Sequence, residues 1–157
     1  MNIIQNVEFW AKNSCFDPET QAEAKNLLAA ENKKVREECF GSFLEFGTGG
    51  LRGIMGVGTN RINRYTVRMA TEGVARIINK KENTAGAKGV VVGYDSRHLS
   101  FEFAQVTSEV FAAHDIPVYL FREIAPTPLV SCEILRRKAI AGIIITASHN
   151  PPEYNGY

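Results

Sequence analysis

The chain has 157 residues, of which 45% are hydrophobic, 10% aromatic and 22% charged, with 13 Gly and 6 Pro. That length suits one ordinary domain, and the composition is too apolar for a disordered tail and too varied for a fibre. Eighteen Lys and Arg against 17 Asp and Glu leave a formal charge of +1, which disfavours nucleic acid or a membrane as a partner of the whole surface. No apolar run nears the ~20 residues of a membrane span, and Met1–Asn6 lacks the basic and apolar regions of a signal peptide. Three widely spaced cysteines, Cys15, Cys39 and Cys132, make neither a zinc pair nor a disulfide framework and read as small core hydrophobes. A reducing, cytoplasmic location is expected.

The first forty residues read as helical. Asp17-Pro18-Glu19 is a helix start, Ala22 to Ala29 have high helix propensity, and Gly41 is a plausible stop after Val35–Phe40. Residues 1–46 hold five basic and eight acidic side chains, net −3, so the remainder carries +4. We expect residues 1–43 to form a helical arm packed on a domain of residues 44–157. Seven glycines between Gly41 and Gly58 then mark loop or strand with close backbone approach, with one strand somewhere in Leu44–Val57. Asn63 caps a helix to about Lys80, whose apolar stripe is read as Val67, Ala70, Val74, Ile77 and Ile78. Lys81–Lys88 reads as a surface loop.

An alternating rhythm follows. Gly89–Tyr94, Pro117–Phe121 and Ala141–Thr146 read as buried strands, separated by helices over Ser100–Ala113 and Pro128–Lys138 with Ser100 and Thr127 as caps. Continuous Val/Ile runs between helices predict strands covered on both faces. The expected fold is α/β: a three-layer α/β/α sandwich around a mixed, mostly parallel sheet of about four strands, preceded by the helical arm.

In such sheets ligands gather at the carboxyl ends of strands. One strand end runs into Thr146-Ala147-Ser148-His149-Asn150-Pro151-Pro152, where two prolines stiffen a loop bearing a hydroxyl. Ser148 and Asn150 there read either as a fixed reactive group or as a turn bonding to itself. Adjacent side chains rarely point at one another, so a Ser148–His149 relay is not expected. Another strand end carries Asp95 and Arg97, which either bind a ligand or pair and brace the loop; bracing is the favoured reading. His98 and His114 read as surface or helix-end residues. Arg52, Arg61, Arg64, Arg68 and Arg76 face a single acid, Glu72, between Gly47 and Arg76. With Gly47-Thr48-Gly49-Gly50-Leu51-Arg52-Gly53 they read either as an anion cradle or as a tight turn with solvent-facing arginines. Three scattered aspartates cannot build a hard-cation shell unaided.

Thr146–Tyr157 (TASHNPPEYNGY) closely resembles the active-site signature of the α-D-phosphohexomutases, the phosphoglucomutase/phosphomannomutase superfamily. Phe46–Gly53, Gly93–Arg97 and Pro126–Pro128 also match the first domain of that superfamily in the right order, so the resemblance spans about residues 40–157. The helical arm and Gly56–Asn63 look most like the phosphoglucomutase/phosphopentomutase branch. The resemblance implies that Ser148 is carried as phosphoserine and exchanges its phosphoryl group with a hexose phosphate through a glucose 1,6-bisphosphate type of intermediate. It implies catalytic roles for Ser148, His149 and Arg52, and substrate or phosphate contacts from Thr48, Gly49, Gly50, Asn150 and Arg97. It also implies Mg²⁺ bridging the phosphate on Ser148 and ligands from a second domain, so the remaining domains of a longer chain are expected partners. Glucose, mannose and pentose phosphates are all open as substrates, and a non-catalytic sugar-phosphate-binding module is the alternative. Gly49 departs from a pattern that often has Ser there. The chain stops at Tyr157, just before the family's acid/base lysine, so a first domain without turnover of its own is expected.

Overall fold

The first two helices of the N-terminal region start at side-chain caps. The structure, a computed structural model, describes residues 2–81 and 88–157, and it divides into two compact units, 1–63 and 64–157. The loop expected over Lys81–Lys88 falls, from Glu82 to Ala87, outside the described residues. In unit 1, Asn2 and Gln5 form a reciprocal capping box at the start of α1 (Ile3–Lys12). Asp17 accepts from the Thr20 amide and Pro18 opens α2 (Pro18–Asn26). A short 3-10 turn leads into α3 (Lys33–Phe40), which ends at Gly41. These helices close around aromatic rings: Trp10 stacks on Phe16 at 4.3 Å and meets Phe40 edge-on at 5.5 Å.

The glycine-rich stretch is an antiparallel hairpin of β1 (Phe46–Gly47) and β2 (Gly50–Ile54), with Phe46 opposite Leu51 and Gly47 opposite Gly50. Beyond it, residues 56–63 fold back on the end of α3. The Asn60 amide donates to the Cys39 carbonyl at 2.8 Å, and the Thr59 hydroxyl to the Ser42 carbonyl at 2.7 Å. The Asn63 side-chain amide donates to the carbonyls of Gly56, Gly58 and Arg61.

Unit 2 is a parallel sheet dressed by helices. Its strands are β3 (Val90–Tyr94), β4 (Val118–Leu120) and β5 (Ala141–Ile145), in the order β4-β3-β5. Val90 lies opposite both Val118 and Ala141. Parallel neighbours need crossovers, and α5 (Ser100–Ala113) and α6 (Thr127–Arg137) supply them. The central β3 is buried throughout, with Val90, Val91 and Val92 at zero exposure, each contributing roughly 1.5–3 kcal/mol by leaving water. Side chains alternate across the pleat. Val91 packs with Val130 and Ile134 of α6, while Tyr94 meets Phe101 of α5, so the two helices cover opposite faces. The short β6 (Tyr154–Gly156) follows β5.

Three local expectations are corrected. In α4 (Arg64–Lys81) the buried line is Val67, Thr71, Ala75 and Ile78, while Ile77 is 56% exposed. The stripe is rotated because Thr71 satisfies its own hydroxyl by donating to the Val67 carbonyl at 2.8 Å, which makes it tolerable inside. Ser100 and Thr127 are the first residues of their helices rather than caps, and the cap positions belong to Leu99 and Pro126. Of the three cysteines only Cys39 is buried, and burial pushes its thiol up; Cys15 and Cys132 are exposed.

Candidate active site

The loop after β5 has too few amides to hold itself. Asn150 and Pro151 are each followed by proline, so the peptide units joining them to the next residue carry a carbonyl but no N–H. The backbone is also bent: Ser148 lies at φ 58, in the left-handed region, at a cost of about 1–3 kcal/mol for a non-glycine residue. Within the loop, the Ser148 amide donates to the Thr146 hydroxyl at 3.0 Å, the Asn150 amide to the Ala147 carbonyl at 3.0 Å, and the Tyr154 amide to the Pro151 carbonyl at 3.0 Å.

The remaining restraint comes from Arg97, in the loop after β3. Its Nη1 donates to the carbonyls of Pro151 at 2.9 Å and Tyr154 at 3.1 Å. Its Nη2 donates to those of Ser148 at 3.0 Å and Asn150 at 2.7 Å. Its Nε lies 3.3 Å from Asp95 Oδ2. A guanidinium has five N–H groups in one plane; here the two terminal nitrogens donate to four backbone carbonyls, and the Nε side makes an ion pair with Asp95. The Asp95 pairing is the bracing that the sequence suggests, extended to the whole serine loop. The same five contacts direct Arg97 at oxygens of its own unit, whereas the resemblance implies a phosphate contact for it.

Ser148 and His149 are exposed, and the loop borders a shallow cleft of about 440 Å³ shared with Asp95–His98. Because the Ser148 carbonyl points at Arg97, the His149 N–H on the far side of that planar peptide points away from it. Ser148 Oγ lies 3.3 Å from His149 Nδ1, contrary to the expectation that these neighbours do not meet. The left-handed turn at Ser148 swings the two side chains together. At 3.3 Å the contact is long for a hydroxyl bond and orients the hydroxyl without shortening into a strong pair.

Behind the loop lies a buried polar cluster that sequence reading did not assemble. Asn155, with no exposed surface, donates to the His98 carbonyl at 2.9 Å and to Ser100 Oγ at 3.0 Å, and its own oxygen accepts from the Gly156 amide. Ser100 Oγ donates to Asp95 Oδ1 at 2.7 Å, which also accepts the Arg97 amide at 3.0 Å. Asn155-Gly156 reads as a turn, and nothing in that signal requires burial. Ser100 carries the signal of a cap, and its hydroxyl is used sideways instead. The next residue, Tyr157, is half-buried, and burial pushes its phenol up to about 12, opposed by the Thr71 hydroxyl.

The glycine-rich residues are placed within unit 1. Thr48 and Gly49 form the exposed hairpin turn, Gly50 sits at φ 93, and the Arg52 guanidinium lies against Gly49. The run of arginines is less uniform than its sequence suggests. Arg61 pairs with Glu38 at 3.7 Å, Arg68 with Glu109 at 3.5 Å, and Arg76 with Glu72 at 2.6 Å. Glu72 also bonds His114, which ends α5 as expected. Among the described residues no group of three or more His, Cys, Asp or Glu is placed to hold a metal ion. The residues therefore do not make a Mg²⁺ shell by themselves. No described helix is long and apolar enough to cross a membrane.

Residues 44–157 match the family model for phosphoglucomutase/phosphomannomutase, alpha/beta/alpha domain I. A phosphopentomutase from Homo sapiens is 42% identical over 154 residues, covering 94% of this chain and 24% of its own length. A phosphoglucomutase from Staphylococcus aureus (strain USA300) is 45% identical over 132 residues, 84% of this chain and 23% of its own. The chain thus spans about a quarter of the length of these curated relatives. In structure it is similar to a Thermus thermophilus protein described as a phosphomannomutase, with a TM-score of 0.65 and 35% identity over 73% of this chain and 25% of that one.

Proposed function

The chain belongs to the phosphoglucomutase/phosphomannomutase family, and from that premise we propose that it forms the first domain of a phosphosugar mutase in which Ser148 carries the phosphoryl group. One observation carries the proposal: Ser148 is exposed on a loop whose backbone carbonyls are gripped by Arg97. A phosphoryl carrier needs that combination of exposure and fixity, because misplacement by ~1 Å costs about 10²-fold in rate. The bond from phosphorus to Ser148 Oγ breaks as a sugar hydroxyl takes the phosphoryl group. The bisphosphate formed then returns its other phosphate to the same oxygen, and the net change is the position of one phosphate on the sugar.

A phosphoserine carries about −1.5 to −2 charge and asks for cations and N–H donors. His149, next to Oγ, contacts the transferring group, and Asn150 the substrate or phosphate. The family resemblance assigns the remaining donors to Arg52 and the backbone of Thr48, Gly49 and Gly50. A bound Mg²⁺ would lower the charge of the phosphate; on this chain it would meet only the phosphoserine oxygens, its other ligands coming from further domains.

The substrate proposed is a hexose phosphate, moved between positions 1 and 6, in the cytoplasm. A pentose phosphate is the second reading, favoured by the relatives named phosphopentomutase that cover 94% of the chain. The test uses a full-length protein incubated with glucose 1,6-bisphosphate and Mg²⁺. One phosphate should appear on the peptide holding Ser148, and none in Ser148→Ala, which should lose interconversion by at least ~10³-fold. The 157-residue chain alone should show no turnover. Full-length protein that binds sugar phosphates but never phosphorylates Ser148 is a non-catalytic module, and the mutase reading falls.

A further inference from the structure

Resting on the reading of Ser148 as the phosphoryl carrier, we propose that Arg97 is a positioning residue, held by a partly buried ring of hydrogen bonds and one ion pair, that governs the rate of transfer rather than the binding of phosphate. The ring runs from Arg97 to Asp95, from Asp95 to Ser100, from Ser100 to Asn155, and closes where Arg97 takes the carbonyl of Tyr154, the residue before Asn155. It joins two stretches of chain: residues 95–100, from the loop after β3 into the start of α5, and residues 148–155, from the serine onward. Ser100 and Asn155 have 1% and 0% exposure, and the Arg97 side chain 15%. Its hydrogen bonds are closed by an ion pair between Arg97 Nε and the Asp95 carboxylate, which makes such a network rigid rather than costly.

The chemistry of the loop explains why an arginine is required. The carbonyls of Ser148, Asn150, Pro151 and Tyr154 converge on one point, and two of them precede prolines. A planar fork with five fixed donors fills that point, whereas a lysine has three donors on a flexible stem. Holding these carbonyls down fixes the left-handed turn at Ser148, and with it the direction of Oγ. Removing the fork frees the loop without removing anything that touches a substrate. The expected kinetic result is a fall in kcat at nearly constant KM, which is how loss of a transition-state-only effect reads.

Two variants and two measurements test this. In the full-length enzyme, Arg97→Lys should lower kcat about 10²-fold with KM within about twofold. Ser100→Ala, which cuts the ring at its middle and leaves Arg97 in place, should lower kcat by a smaller factor, about fivefold to tenfold. In the 157-residue chain, the amides of Asn150 and Tyr154 should exchange hydrogen about tenfold faster in either variant than in the wild type. A higher KM at unchanged kcat in Arg97→Lys would make Arg97 a phosphate ligand and overturn the proposal. Unchanged amide exchange in both variants would overturn it as well. If Arg97→Lys fails to fold, Ser100→Ala carries the same two readouts. Wild-type protein that never loads phosphate at Ser148 sinks the mutase reading alone, because amide exchange reports the ring whether or not the chain turns over.

Discussion

Among the described glycines, the tightest approach in unit 1 is backbone on backbone, whereas in unit 2 it is a helix side chain lying over a strand. Gly58, at φ +123, has the Cys39 carbonyl where a Cβ would stand. Gly93 and Gly142, on β3 and β5, lie under the side chains of Val130 and Ile134 of α6. The amides around Gly58 are used in the same stitching: Asn60 to Cys39, and Leu44 to Thr59 at 3.0 Å. The segment around Gly58 in unit 1 is therefore held by long-range backbone hydrogen bonds, and the sheet of unit 2 by apolar layers on a parallel ladder. Side chains can move aside at little cost; a carbonyl that is already an acceptor cannot.

The largest effect expected from this difference is at Gly58. Gly58→Ala adds a methyl against the Cys39 carbonyl and asks alanine to hold a φ reserved for glycine, so it should destabilise unit 1 by about 3 kcal/mol. A urea midpoint shift that small-residue substitution at Gly73 does not reproduce would establish it; Gly73 has nothing near its Cβ position. A Gly58→Ala variant as stable as wild type would break the contrast between the units.

Gly93→Ala should cost less, about 1–2 kcal/mol, because the obstacle is one Val130 methyl. The contrast sharpens in a double-mutant cycle. In a Val130→Ala background the obstructing methyls are gone, so the added cost of Gly93→Ala should fall by at least half. Strict additivity would mean that α6 shifts as a body instead of yielding at one side chain.

The same difference decides what the sequence could reveal. Strands of unit 2 announce themselves in GVVVGY and AGIIIT, because burial on both faces demands continuous apolar residues. Asp17-Pro18 marks a helix start because capping is local. The rotation of α4 stayed hidden, since Ile77 carries a stronger apolar signal than Thr71, and only the bond to Val67 reveals why Thr71 is inside. The glycine run is visible as glycine, but its partners at Cys39 and Ser42 lie about twenty residues away and leave no periodic trace. For the site, the serine and its prolines are visible in one segment. The bond of Arg97 to that segment crosses more than fifty residues, and Asn155 is a buried polar residue with the composition of a turn.

The smallest effect, and the narrowest test of how unit 2 ends, is the titration of Tyr157. Its phenol sits against α4, where burial disfavours the phenolate and raises the pKa to about 12, while Thr71 pulls the other way. In the unfolded chain the same group titrates near its ordinary value of about 10. Below about pH 10 both states keep the proton, and Tyr157 leaves stability independent of pH. Between about pH 10 and 12 the unfolded chain releases the proton while the folded chain keeps it, so stability falls as pH rises. Tyrosinate absorbance of the folded chain should therefore contain one late step that Tyr157→Phe removes, and the alkaline fall in urea midpoint should be shallower in that variant. A late step that survives the substitution belongs to another tyrosine. In that event the segment after Asn155 is not packed on Thr71, and the end of unit 2 is held by its hydrogen bonds alone, in the manner of the segment around Gly58.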